Sequence, residues 1–493
     1  MEYISTRGHS SPTTDAQALI QGLAADGGLY VPTQLPQFDL TELSPLAEGP
    51  YHLLAARILN HYLDFPTQDL TARLGRAYST FSDPAICPTR KLTDTLGVLE
   101  LWHGPTFAFK DMALQALPQL LALAKEQVGE KRTQVILVAT SGDTGKAALE
   151  GFCDVAGTEV IVFYPRGGVS PLQELQMVTQ RGSNESVVAV EGNFDHAQSG
   201  VKSLLADQKL QGELEKKGYS FSSANSINPG RLLPQIAYYF KSYLDAVKQG
   251  LVRKGEKLNY VVPTGNFGNI LAAYYAKRSG LPVGRLICAS NSNRVLTTFF
   301  QTGTYDRRLP FYKTSSPSMD ILISSNLERL LFEAAGRDSN FIAKIMEQLQ
   351  EEGYYLIPSA LKRTLAELFW ADYATEEETA AQIKTTFQKY NYCLDPHTAV
   401  AMAVYEKYRV QFGEEPTVVV STASPYKFPH TVAAALGESG EDEFELLAKL
   451  AVKTNLPLAK GLVGLQNAPI RHNRVIKPEG MGRSVREILN LEA

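Results

Sequence analysis

Lys110 stands in HGPTFAFKDMALQ, His103 to Gln115, behind a Gly-Pro turn, between an aromatic run and an aspartate, where a helix should start. A solvated lysine has no use for such neighbours. Apolar packing strips water from an ammonium and lowers its pKa, which is what an amine needs to act as nucleophile or proton carrier. Phe107 and Phe109 are placed to supply that packing. The competing reading is an amphipathic lysine with a buried stem at a helix start.

Two glycine loops add anion chemistry. ATSGDTGKAAL, Ala139 to Leu149, joins a strand pattern to a helix pattern. A helix N-terminus presents free N–H groups and partial positive charge. Ser141 and Thr144 add hydroxyls there, and Lys146 adds a charge. A nucleotide P-loop does not fit, because Thr140 stands at its first glycine position and Ala147 at its final Ser/Thr position. PTGNFGNILAAYY, Pro263 to Tyr275, is the second loop. Gly265 and Gly268 let backbone N–H groups turn toward one centre, and no charged residue lies in the loop. Neutral donors suit a permanently bound ester phosphate. For both loops a plain tight turn remains the rival.

These loops need elements to hold them. QVILVAT precedes KAALEGF, and TEVIVFYP precedes SPLQELQMVTQRG. ESVVAVEG precedes FDHAQSGVKSLLAD, LNYVVP precedes ILAAYYAKRSG, and PTVVVS precedes HTVAAALG. Apolar strands alternating with helices predict an α/β fold with mostly parallel sheets covered on both faces. Ligands of such sheets bind beyond the carboxyl ends of the strands, where both loops fall. The expected division is an N-terminal α/β segment over 1–95, a smaller α/β domain carrying Lys110 over 96–240, and a larger α/β domain over 241–493. The last contains a helical insertion near 325–390, read as having no strands between its helices.

At 493 residues, 44% hydrophobic and 20% charged, the chain can bury a large core. A net charge of -4 without a basic cluster argues against nucleic-acid and membrane partners. Cys87, Cys153, Cys288 and Cys393 lie far apart with no CxxC pair, so no metal site and no disulfide scaffold is expected. Reduced thiols in a cytoplasm are the simplest setting. MEYISTRGHSS has no apolar signal-peptide core, and no run of about 18 apolar residues suggests a membrane span.

Taken together, HGPTFAFKDMALQ, TSGDTGKAA and PTGNFGN resemble threonine synthase. That family is pyridoxal-phosphate-dependent. It has the tryptophan synthase β-like fold (fold type II), two open, mostly parallel sheets flanked by helices. The resemblance extends to YISTRG, LAADGGLYVP, NSINPGRLLPQIAYY, SPSMDI and LDPHTAVA, in the family's order and over nearly the whole chain. The length and the 325–390 region are similar to the longer microbial and fungal branch. That branch is often monomeric, so a monomer is expected, with a homodimer as the alternative.

The resemblance implies that Lys110 forms a Schiff base with the aldehyde of pyridoxal 5'-phosphate. It then moves protons at Cα and Cβ of O-phospho-L-homoserine, and water addition gives L-threonine and phosphate. Gly265, Asn266, Phe267, Gly268 and Asn269 match the family's cofactor-phosphate loop. Thr422, in STASPYKFP, matches the residue facing the pyridine nitrogen. Ser141, Gly142, Asp143 and Thr144 match residues beside substrate and cofactor. Lys146 and Arg231 are the cations expected at the substrate phosphate, with Asn228 and Ser226 as neutral donors. His103 stays open between a structural and a catalytic role. One departure is plain: the family often reads Thr-Ala-His-Pro-Ala-Lys-Phe, whereas Ser424 and Tyr426 replace the histidine and the second alanine here. The alternatives are another enzyme of this fold type, such as a serine or threonine dehydratase, and a non-catalytic homologue binding a phosphorylated small molecule. The first would not need Lys146 and Arg231, and the second would not need Lys110.

Overall fold

Strict alternation of buried residues organises the larger sheet. Along Leu258–Pro263, Tyr260 and Val262 face one apolar layer and Val261 the other. Along Thr417–Ser421, Val418 and Val420 share the first layer and Val419 the second. Both faces must therefore be covered, and parallel pairing with crossover helices achieves this. The computed structural model describes residues 1–140 and 142–491. Its larger sheet has six strands in the order Phe369–Tyr373, Val283–Ser290, Leu258–Pro263, Thr417–Ser421, Leu96–Glu100, Thr89–Lys91. Only the last pairing is antiparallel. The second sheet has five strands, all parallel, in the order Arg474–Ile476, Glu185–Val190, Thr158–Pro165, Thr133–Ala139, Tyr219–Ser222.

This is the fold-type-II architecture expected. Chain order reverses beside Leu258–Pro263 in one sheet and beside Thr133–Ala139 in the other. Loops leaving neighbouring strands in opposite directions open a crevice at each reversal. Each glycine loop begins at one of these crevices.

Two expectations need correction. The 325–390 region does contain strands: Tyr354–Leu356 pairs with Thr304–Asp306, and Phe369–Tyr373 forms the edge of the six-stranded sheet. Aromatic residues that continue a helical pattern, as FWADY does after Ser359–Leu368, fit a helix face or a short strand equally well. The expected domain spans also differ from the sheets. Leu96–Glu100, placed at the start of the smaller domain, pairs with Thr417–Ser421 in the larger sheet. Arg474–Ile476, placed in the larger domain, forms an edge of the five-stranded sheet beside Glu185–Val190. Strand pairing follows matching apolar faces, not position along the chain.

A small antiparallel sheet of Glu2–Ser5, Thr13–Thr14 and Tyr30–Pro32 docks the N-terminal region. The clamp is ionic. Thr6 and Arg7 bond Glu328, and the fully buried Arg329 donates to the carbonyls of Tyr30 and Ile227 and to Asn326 Oδ1. Among the described residues no helix is long and apolar enough to cross a membrane.

Arg329→Met keeps most of the side-chain volume but strands three acceptors, two of them buried. Hydrogen bonds to a charged group contribute roughly 1.5–3 kcal/mol each, so a loss of about 3 kcal/mol or more is expected, read as a lower urea midpoint. An unchanged midpoint would show that the clamp adds nothing to stability.

Candidate active site

Lys110 is positioned by a closed loop and a strand end. Phe107 takes a left-handed backbone (φ 62°), and Ala108 bridges Ala423. Phe109 N–H donates to Thr422 O at 2.8 Å, and Ser424 N–H to Phe107 O at 2.9 Å. Thr106 is held from below by Asp111, whose carboxylate accepts its N–H at 2.8 Å and its hydroxyl at 2.7 Å. Gly104 is needed there, since a Cβ would meet Asp111 at 2.4 Å. The lysine is thus delivered beside the end of Thr417–Ser421, next to Thr422.

Lys110 Nζ donates to Ser318 Oγ at 3.0 Å and to Asp143 Oδ2 at 3.2 Å, with the Phe109 ring 5.4 Å away. Burial pushes its pKa down. Asp143 opposes that push, and Lys427 and Arg231 add to it. Asp143 also accepts from Lys427 Nζ at 2.8 Å, Gln173 Nε2 at 3.1 Å and Ser318 Oγ at 3.1 Å. Burial would raise its carboxyl, but Lys427 and Lys110 hold it well below the usual carboxylate range. Lys427 is itself buried and donates to Thr106 O at 2.9 Å. Ser318 is fixed by its N–H to His397 Nε2 at 3.1 Å, and His397 Nδ1 lies 2.9 Å from Asp395.

The loop after Thr133–Ala139 turns through Gly142 at φ 137°, where a Cβ would strike Gln173 at 2.5 Å. Thr140 Oγ1 accepts the N–H groups of Gly142 and Gly145, both at 2.9 Å. Asp143 opens helix Asp143–Phe152, with Thr144 half-buried next to it. Ser141 lies outside the described residues.

The loop after Leu258–Pro263 gives its carbonyls to one side. Gly265 O accepts from Ser324 Oγ at 2.7 Å, and Asn266 O from Asn326 Nδ2 at 2.9 Å. Phe267, left-handed at φ 64°, leads into helix Gly268–Arg278, whose N-terminus has no side-chain cap. Asn269 Oδ1 is taken by Tyr238 and Tyr239, while its Nδ2 is buried without a partner. Free helical N–H groups and an idle amide donor make an anion cradle.

Other expected residues fare differently. Arg231, at the start of helix Pro229–Lys248, is buried and donates from Nη1 to Ala224 O, while its Nε has no partner among the described residues. Burial lowers its pKa to about 10. Asn228 is not available to a ligand. Its Oδ1 caps that helix through Gly230 N–H, and its Nδ2 donates to Leu19 O and Ser223 O. Ser226 O accepts from Asn326. Lys146 is corrected as well: its Nζ is held by Glu150 at 2.7 Å, one turn along the same helix, and by Gln180. His103 is tied to Glu100 at 2.8 Å and stacks on Trp102, a structural arrangement. Ser424 caps the turn Pro425–Lys427, and the Tyr426 hydroxyl donates to Leu456 O. Lys427, Ser318 and His397 were not foreseen as site residues. Each lies in a quoted motif, but no local spacing announces its role.

Among the described residues no group of three or more His, Cys, Asp or Glu side chains is gathered for a metal ion. A buried, pKa-depressed lysine beside a neutral anion cradle at a sheet reversal defines a pyridoxal-phosphate-dependent enzyme. The family model of that description matches residues 90–423. Models described as threonine synthase N terminus and threonine synthase, C-terminal, match residues 2–78 and 398–477. Threonine synthase-like 1 of Macaca fascicularis is 42% identical over 434 residues, 85% of this chain. The chain spans 58% of that relative's length. A Pseudomonas aeruginosa threonine synthase is 39% identical over 437 residues, covering 88% of this chain and 90% of its own. The crystal structure of PLP-bound threonine synthase from Brucella melitensis superposes with a TM-score of 0.88 at 37% identity, covering 99% of both chains. The chain belongs to the threonine synthase family.

The cradle fits the cofactor's phosphate. Asn269 Nδ2 lacks a partner, and Gly265 leaves room that a side chain would fill, since a Cβ would lie 2.8 Å from Ser318 O. Gly265→Ala must therefore push the Pro317–Met319 turn away from the loop. Weaker pyridoxal-phosphate affinity, by about tenfold or more, is expected in a fluorescence titration, the loss of one charge-assisted bond. Unchanged affinity would move the cofactor phosphate elsewhere.

Proposed function

We propose that the chain is a threonine synthase, converting O-phospho-L-homoserine and water to L-threonine and phosphate. One observation carries this reading: Arg231, a buried guanidinium with an idle Nε, lies near enough to Lys110 to bear on its charge. A cation kept in reserve beside the reacting lysine is what a phosphorylated substrate requires and an unphosphorylated one does not.

Pyridoxal phosphate, when bound, supplies an electron sink for negative charge developing on substrate carbon. Gly265 to Asn269 would hold its phosphate, and Lys110 would be the amine that carries its aldehyde. Freed by the incoming substrate amine, the Lys110 Nζ takes and returns protons at Cα and Cβ. Ser318 Oγ and Asp143 Oδ2 keep that nitrogen in place between transfers. Arg231 binds the γ-phosphate and eases its departure. Thr422 would face the pyridine nitrogen, where a hydroxyl would share a hydrogen bond without holding a ring cation. Ser141, Gly142 and Thr144 are assigned to the substrate carboxylate. Four free cysteines, three of them buried, suit a cytoplasmic setting, and a monomer is proposed.

The test is phosphate release from O-phosphohomoserine with threonine identified as co-product. Lys110→Ala should abolish turnover and the visible absorbance of lysine-bound cofactor while the fold persists; residual turnover at wild-type rate refutes the assignment. Arg231→Ala should lower kcat/KM by about tenfold or more, the size of one buried charge-assisted contact. Lys146→Ala, whose partner is Glu150, should change kcat/KM far less. The opposite ranking would exchange the two cations.

A further inference from the structure

Lys427 has no part in the chemistry above, yet it is buried against the same carboxylate as Lys110. An ammonium alone with a buried aspartate is locked in its charged form, because each partner stabilises the other. Lys110 is not in that position. Its Asp143 is shared, with Oδ1 on Lys427 at 2.8 Å and Oδ2 on Lys110 at 3.2 Å. Two lysines share one negative charge, and Arg231 adds positive potential at Lys110.

The other charged groups nearby do not offset this. Asp111 is occupied by Thr106, and burial pushes its carboxyl up to about 6. His397 accepts the Ser318 N–H on Nε2, so that nitrogen carries no proton. The crowding of cations therefore disfavours a proton on Lys110. Lys427 is held a second time, by the Thr106 carbonyl, which fixes its nitrogen on Asp143 Oδ1. Lys110 meets the Ser318 hydroxyl, which itself donates to Asp143 and can serve a neutral amine equally well.

We propose that Lys427 is a positioning residue that keeps Lys110 neutral and reactive by occupying one oxygen of Asp143 and placing a like charge beside it. The inference rests on Lys110 being the reacting amine, and not on the identity of the substrate. Removing Lys427 takes away a like charge and leaves Asp143 to Lys110 alone, so the Lys110 midpoint should rise. Removing the Asp143 charge should lower it.

The experiment uses full-length protein stripped of cofactor. Reductive methylation of Lys110 by formaldehyde and cyanoborohydride is followed against pH, with the Lys110 peptide quantified by mass spectrometry. Lys427→Met should raise the midpoint by about one pH unit or more, the usual size for loss of an adjacent charge, and so cut the neutral fraction about tenfold below it. Lys427→Arg should titrate as the wild type. Asp143→Asn should shift the midpoint down, which keeps the test open if Lys427→Met does not fold. A Lys427→Met midpoint at or below the wild-type value, or an Asp143→Asn midpoint that does not fall, overturns the proposal. Absence of phosphate release by the wild type would refute the substrate assignment while leaving the lysine titration intact.

Discussion

A single carboxylate, that of Asp143, ties the two halves of the molecule together. It is buried, and a buried carboxylate is stable only when donors surround it. Those donors come from distant parts of the chain. Lys110 precedes a short helix, Lys427 follows the last strand of the larger sheet, Ser318 lies in a turn before the helices, and Gln173 belongs to the five-stranded side. Each must arrive for the charge to be tolerated. The placement of Lys110 is therefore set by the same carboxylate that gathers residues from both sheets.

The topology explains why such a meeting point exists. Both sheets reverse their strand order once, and loops diverge at each reversal. One reversal supplies the loop from Thr264 to Gly268 and the end of Thr417–Ser421. The other supplies Gly142 and Asp143. The two crevices thus open toward a common lysine, Lys110. Rigid strand ends carry the chemistry, and the helices behind them provide burial.

Much of this was legible in the sequence where the signal is local. The lysine loop, the glycine turns and five of the parallel strands follow from patterns a few residues long. Lys427 and Ser318 on Asp143, and His397 behind Ser318, were not, since they acquire meaning only from contacts made across the fold. Lys146 misled for a physical reason: a cation near a glycine loop suggests a ligand, but Glu150 one turn away claims it first. Asn228 misled although its local signal was available, because asparagine ahead of proline at a helix start is a capping pattern. The strand Phe369–Tyr373 was hidden because its pairing with Val283–Ser290 decides its state, not its composition.

The strand Thr417–Ser421 lies between Leu96–Glu100 and Leu258–Pro263 and bonds both. During synthesis its two neighbours emerge long before it does. Until it arrives, each presents an open apolar edge, with unpaired N–H and C=O groups ready to join another chain. Contacts of such high sequence separation form slowly, because the loop between them must first be closed. The nascent chain therefore passes through a period of exposed strand edges that ends only when this strand is inserted. During that period it is a natural client for a chaperone, and aggregation competes with completion of the site.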